Sequence, residues 1–504
     1  MVSKPRVGRL AIVLHSHLPW LLGHGAWPVG EEWLRQAWAH AYLPVLSLLR
    51  ERADRGRRNL LTLGVTPVLA AQWDDPNSIT EQARWIADWR LRATGKAIEA
   101  VRSGVVADRG DAHRHFRRAR WSEAEMARHW SAGGSAALRP LIDAETIEVL
   151  GGPATHTFTP HLINPIADLA LQAGLADSTV RTGNRPEGIW APECAYAPGL
   201  EDLYQRHRVS HFVVDGPTLQ HVAASLHRPH RVGGTDVVAF GRDLSLTYRV
   251  WSPRKGYPGN AWYLDFHAFD HNWGLRASRV TSKTGEDKLP YDEGAALDRA
   301  DRDAADFIEH ARRTMIDSPE TDPVIVVAYD TELFGHWWHE GPHFLARVLD
   351  TAADAGIELT TLRRERERAF DQPSIDIDAG SWGSGKDFRV WESGEAGDLY
   401  TRGRAAQYAV AQFLSSRDDS VTVGRDTAGD AILAELLLSL SSDWAFMISK
   451  DSAADYARGR AHEHFTTVST MLREDHHRES IGQLHTRLET RLPYVDSRLR
   501  PSRR

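Results

Sequence analysis

Short unbroken apolar runs recur along the chain, separated by longer stretches in which apolar residues return every three or four positions. The runs fall at Arg9–Leu14, Leu60–Val65, Thr146–Leu150, Gly188–Trp190, His211–Val214 and Val324–Ala328. Being mostly continuous rather than alternating, they predict strands buried on both faces of a parallel sheet. Trp33–Arg50 and Leu297–Thr314 carry helical spacing. Strand–helix alternation of this kind predicts an α/β architecture, with a barrel as the expected layout. Between about residues 75 and 142 the strand signal vanishes, and Trp85, Trp89, Trp121 and Trp130 stand among many Ala, Arg and Glu, which predicts a helical insertion. The division expected is a barrel over residues 1–372 and a helical region over 373–504. The latter opens with a Gly-rich passage (380–397) and continues as helices through Leu488. Ala431–Leu440 has Glu435 in its middle and reads as a buried helix; the arginine-rich end, Arg498–Arg504, reads as frayed.

Composition narrows the classes. Over 504 residues, Lys+Arg 61 against Asp+Glu 68 gives a net charge of −7, which argues against nucleic acid as a partner. No stretch approaches the roughly 20 apolar residues that span a bilayer. The run Leu10–Leu14 that follows Lys4, Arg6 and Arg9 is too short for a signal peptide. A single cysteine, Cys194, excludes an intrachain disulfide framework, so the expected setting is cytoplasmic, with no membrane partner. The count of 18 Trp against 14 Phe is unusual, because an indole N–H wants a partner and is a poor mere core filler.

In a parallel barrel, chemistry collects where loops leave the C-terminal ends of the strands. Those loops begin His15-Ser-His17-Leu-Pro-Trp20, Gly151-Gly-Pro-Ala-Thr-His156, Ala191-Pro-Glu193-Cys-Ala-Tyr196, and Tyr329-Asp330-Thr-Glu-Leu-Phe-Gly-His336-Trp-Trp338. Each has a bland alternative: structural histidines for His15, His17 and His156, and a helix N-cap for Asp330. Together they favour a site. Two chemistries fit. One is metal hydrolysis, with His15, His17, His156 and Asp330 as zinc ligands. The other is glycoside chemistry, with Glu193 and Asp330 as paired carboxylates. The tryptophans favour the second, since indole faces stack on the C–H faces of sugars.

These motifs resemble the signature regions of glycoside hydrolase family 57, with Ser441-Ser442-Asp443-Trp444 as the fifth. Tyr248-Arg-Val-Trp251-Ser-Pro-Arg-Lys-Gly-Tyr-Pro-Gly259, and Ser381-Trp382-Gly383 followed by Trp391, look like segments of the glucan-branching members. The resemblance implies a (β/α)7 barrel with a helical insertion and an all-helical C-terminal domain closing over the cleft. It implies a retaining transferase that cleaves α-1,4 bonds of glycogen, amylose or a similar α-glucan and forms α-1,6 branches. Glu193 would be the nucleophile and Asp330 the acid/base. His15, His17, His156, Trp27, Arg242, Trp251, Gly259, Trp382, Trp391 and Asp443 would contact substrate, with no cofactor and no metal. Hydrolysis of α-1,4 bonds, or their re-formation as α-1,4, is the alternative. Two positions depart from the family pattern: no tyrosine stands between Tyr204 and Tyr248, and Ser452 takes the place of a glutamine.

Overall fold

The computed structural model describes residues 5–104, 106–252, 256–281, 288–416, 425–474, 492 and 494–496. The end of the expected C-terminal helices (475–488) and the tail 498–504 lie outside the described residues.

Among the described residues nine strands form: β1 Gly8–Ser16, β2 Leu61–Val65, β3 Ile147–Leu150, β4 Gly188–Ile189, β5 His211–Asp215, β6 His230–Arg231, β7 Val238–Arg242, β8 Val324–Asp330 and β9 Ile357–Thr360. Seven run parallel in the order β3-β2-β1-β8-β7-β5-β4. A parallel bridge between Gly151 and Ile189 brings the two ends together into a nearly closed barrel. β9 adds parallel to β1, and β6 pairs antiparallel with β7. β7 is a strand the apolar pattern did not single out, and it supplies one of the barrel staves.

Strand parity explains the unbroken apolar runs. In β1, Leu10, Ile12 and Leu14 pack outward against the helical layer. Ala11 and Val13 point inward, where Leu150, Trp190, Val213, Phe240, Val326 and Ala328 fill the barrel. Both faces are dry, so both parities must be apolar. Each fully buried branched side chain contributes about 1.5–3 kcal/mol.

The stretch expected as one helix over Trp33–Arg50 is two α-helices, Glu31–Ala37 and Leu43–Ala53, joined by a π-helical turn at Trp38–Tyr42. Two long helices, Pro76–Ser103 and Val106–His129, pack against each other beside the barrel. Asp75 caps the first through the Ser78 N–H, and Gly104 ends it in the left-handed conformation. The described C-terminal region is helical: Gly397–Ser416, Thr427–Ser439, Ser442–Ser449 and Ala454–Glu474. Residues 429–439 of the second are all buried, and Glu435 accepts from buried His464 at 2.7 Å. No helix among the described residues is long and apolar enough to cross a membrane.

Candidate active site

The parity that fills the barrel also selects the side chains at its mouth. His15 follows Ala11 and Val13 on the inward face, Asp330 follows Val326 and Ala328, Arg242 follows Val238 and Phe240, and Asp215 follows Val213. Register sets their neighbours: His15 lies opposite Asp330, and Asp215 opposite Arg242. The first polar layer above an apolar barrel is therefore a ring of ionisable groups. It floors a cleft of about 860 Å³.

Glu193 reaches this ring by another route. After the short β4, the chain turns at Pro192–Cys194 with Glu193 at φ +63° and Cys194 at +50°. Left-handed backbone at non-glycine residues costs about 1–2 kcal/mol each and is retained where the surroundings over-determine it. Here they do. The Ser442 hydroxyl donates to Glu193 Oε1 at 2.7 Å, and the Trp382 indole N–H donates to Oε2 at 2.6 Å. Both donors come from the C-terminal region, so this part of the chain completes the site.

The histidines form a second chain of contacts. His15 Nε2 and His156 Nε2 lie 3.0 Å apart, and His156 Nδ1 bonds to the Ser442 hydroxyl at 2.9 Å. His17 stacks on His156 at 3.8 Å and bonds through Nε2 to Asp443 Oδ2 at 2.8 Å. Burial holds His15 and His156 well below their ordinary range, so both are neutral near pH 7. Asp443 is half-buried, and that desolvation opposes ionisation, yet the charge and hydrogen bond of His17 bring it down to about 2.

The carboxyl groups respond to the same dryness. Burial raises Glu193 to about 7 against the pull of its two donors. Burial, then the Glu193 charge, raises Asp330 to about 7. Asp330 makes no helix-capping bond, which removes the structural reading of that residue. A third acid, Glu332, lies beside it, accepting from the Tyr42 hydroxyl and, at 3.1 Å, from the His17 N–H. Burial and then Asp330 lift Glu332 to about 8. Burial drives the Cys194 thiol far above its ordinary range, so it packs as a small apolar group.

His15, His17, His156, Glu193, Arg242, Asp330, Asp443, Trp27, Trp251 and Trp382 all line the cleft. Gly259 and Trp391 do not. Gly259 is exposed at the end of the turn Tyr257–Gly259, outside the cleft lining. Trp391 is 2% exposed, stacked on Phe158 at 4.4 Å, and lies behind Gly383, where an added Cβ would meet its ring at 2.7 Å. It supports the cleft wall from behind. Among the described residues, the one group with metal-ligand spacing is His17, His156 and Asp443, a different set from the zinc ligands considered above. Its ring nitrogens are engaged: His17 by Asp443 and Thr66, His156 by His15 and Ser442. A zinc ion would have to displace these bonds.

The residues that sequence reasoning missed act on those it found. Asp215 is buried and paired to both Arg242 and Lys386, at 2.7 and 2.8 Å. Arg242 in turn lies over the Trp382 ring, 5.2 Å from its centroid. Tyr248, Trp337, Phe446 and Phe269 add aromatic wall, with the Trp251 and Trp337 rings 5.6 Å apart, and Ser452 also faces the cleft. Lys386 and Asp215 left no local signal, whereas Tyr248 and Ser442 sat inside motifs already singled out.

Two family profiles and several known proteins match the chain. Residues 11–378 match the sequence profile of Glycosyl hydrolase family 57, and residues 401–496 that of the 1,4-alpha-glucan branching enzyme C-terminal domain. A probable 1,4-alpha-glucan branching enzyme of Mycobacterium tuberculosis is 47% identical over 485 residues, 92% of this chain and 91% of that protein. A 1,4-alpha-glucan branching enzyme of Thermococcus kodakarensis is 30% identical, covering 98% of this chain and 78% of its own. The crystal structure of the family 57-type branching enzyme of Pyrococcus horikoshii superposes with a TM-score of 0.87, at 27% identity and 98% of both chains.

Proposed function

The chain belongs to glycosyl hydrolase family 57 and branches α-1,4-glucan, and we propose that Glu193 and Asp330 carry out the bond exchange. Glu193, ionised, attacks C1 of an internal glucosyl unit. The C1–O4 bond breaks as Asp330, protonated, gives its proton to O4. The freed chain end leaves, and the transferred segment is held as a glycosyl ester of Glu193. The O6 hydroxyl of an acceptor glucan then attacks C1, its proton passes to Asp330, and Glu193 is released. Two inversions give retention, which requires the carboxyl groups about 5–5.5 Å apart.

The electrostatics favour each step. One shared proton on the Glu193–Asp330 pair supplies an anion and an acid at once. Once Glu193 is esterified its charge is gone, so Asp330 becomes more acidic and suits its second role as base. The transition state is oxocarbenium-like, and neutral His15 and His156 add no opposing charge beside it. Water competes with the acceptor; a glucan held by the aromatic walls gains an effective concentration of about 10⁵ M or more over free solution. We assign donor and acceptor binding to Trp27, Trp251, Arg242 and Trp382, and orientation of the central sugar to His15, His17, His156 and Asp443. The natural partner is then a glycogen- or amylose-like glucan. The setting we propose is the cytoplasm, supported by the single buried thiol.

The observation that carries this reading is Glu193 held by two donors in the same cleft as Asp330, which bears no competing cap bond. The test is amylose incubation with α-1,6 linkages counted against new reducing ends. Glu193→Gln should lose branching by about 10³-fold or more. Residual branching within tenfold of the parent enzyme would reject the assignment.

A further inference from the structure

A second cavity, of about 40 Å³, lies behind one wall of the cleft. It sits between the two long helices beside the barrel, residues 264–276 and His339, and Gln36, Phe269 and Arg276 line both spaces. Charge distinguishes it. Arg118 and Arg276 face it, and neither has a carboxylate ion pair among the described residues. Arg118 donates to the His339 ring, 2.8 Å from Nε2. Arg276 lies between the rings of Phe266 and Phe269, at 4.3 and 4.9 Å from their centroids. It donates to the His336 carbonyl at 3.2 Å, while its buried Nε has no partner.

The nearby carboxylates whose charge reaches them are Glu293 and Glu340 for Arg118, and Asp265 and Glu32 for Arg276. None forms an ion pair with either guanidinium among the described residues, and Glu293 and Asp265 are paired with Arg117 and Lys288. The third guanidinium facing the cavity, Arg92, is paired with Asp88 at 2.9 Å. The one carboxylate facing it, Glu32, already accepts from Gln36 at 2.7 Å and from the Trp85 indole at 2.9 Å. Burial keeps His40, His115 and His339 neutral. It also lowers Arg118 and Arg276, but only to about 10, so both are cations at pH 7. Buried charge is tolerated when a counter-charge reaches it. The space exceeds the roughly 10–15 Å³ that one water needs, yet is too small for a sugar ring.

We propose that this cavity binds a tetrahedral oxyanion between Arg118 and Arg276: phosphate, either free or as the monoester end of a small metabolite. Guanidinium forks match such oxygens in geometry and charge. The site is separate from the proposed glucan-binding groups and touches them through the shared wall.

Isothermal titration with inorganic phosphate at pH 7, with chloride holding ionic strength constant, tests this. One saturable site is expected, weakened at least tenfold in Arg118→Gln and less in Arg118→Lys, with thermal unfolding confirming that both variants fold. Glycerol 3-phosphate run in parallel assigns the source: tighter binding indicates a monoester, equal or weaker binding the free ion. No saturable binding, or unchanged affinity in Arg118→Gln, overturns the proposal. Crystals of the unmodified protein soaked in selenate provide a check independent of the variants. An anomalous peak between the two guanidiniums supports the site, and its absence there rejects it.

Discussion

Replacing Ser442 by alanine removes one of the two hydrogen bonds to the Glu193 carboxylate, and the structure allows the effect to be sized. Ser442 is buried behind Glu193 and does not line the cleft, so no cleft-lining side chain is removed, although His156 loses its Nδ1 partner. Burial holds Glu193 at about 7, with Ser442 and Trp382 both pulling downward. A hydrogen bond to a charged group contributes about 1.5–3 kcal/mol, and one pKa unit corresponds to about 1.4 kcal/mol. With the Trp382 donor still present, the lower end applies, and Glu193 should rise by about one unit. In the role proposed for it, Glu193 works ionised, so the acidic limb of kcat/KM moves to higher pH. At pH 7 the ionised fraction falls from about one half to about one tenth, an activity loss of about fivefold that shrinks to about twofold at pH 8. The two limbs belong to the Glu193–Asp330 pair rather than to either residue alone. The assay is the initial rate of α-1,6 linkage formation on limiting amylose from pH 5 to 9. An acidic limb displaced by less than about 0.3 unit, or displaced downward, would refute the reasoning.

Two further outcomes follow from neighbouring groups. Asp215→Asn leaves Arg242 and Lys386 without their shared carboxylate, and breaking such a buried pair costs about 3–5 kcal/mol, to be read as a lower urea midpoint. Branching should fall with it, because Arg242 rests on Trp382; an unchanged midpoint would contradict the clamp. Glu332 is raised to about 8 from an ordinary 4.5, so its protonated form stabilises the fold at low pH and that stability is lost as pH rises through 8. Between pH 6 and 9 the parent should lose about 2.7 kcal/mol through this group, and Glu332→Gln should lack that part of the slope in thermal unfolding.

The barrel was legible because its evidence is local. A strand buried on both faces must be apolar at every position, and the first inward residue past it must serve the mouth, so His15 and Asp330 announce themselves in a few consecutive letters. The fold class follows from the same runs. β7 escaped because Val237–Phe240 is short and runs directly into Gly241-Arg242. Trp391 lies outside the cleft lining, and the Gly-rich stretch 380–397 has no period to say which indole faces outward; only packing against Phe158 places it. Gly259 shared a motif with Trp251 without sharing its cavity. Asp215, Lys386 and the hydroxyl of Ser442 act on partners from 27 to 249 positions away, a separation that no local pattern reports.

The donors to Glu193 stand 189 and 249 residues further along the chain, and the Asp443 that binds His17 stands 426 further. A ribosome that has released the whole barrel has therefore not yet made the groups that restrain its central carboxylate. On the roles proposed for these groups, competence waits for residues 382–443 to be made.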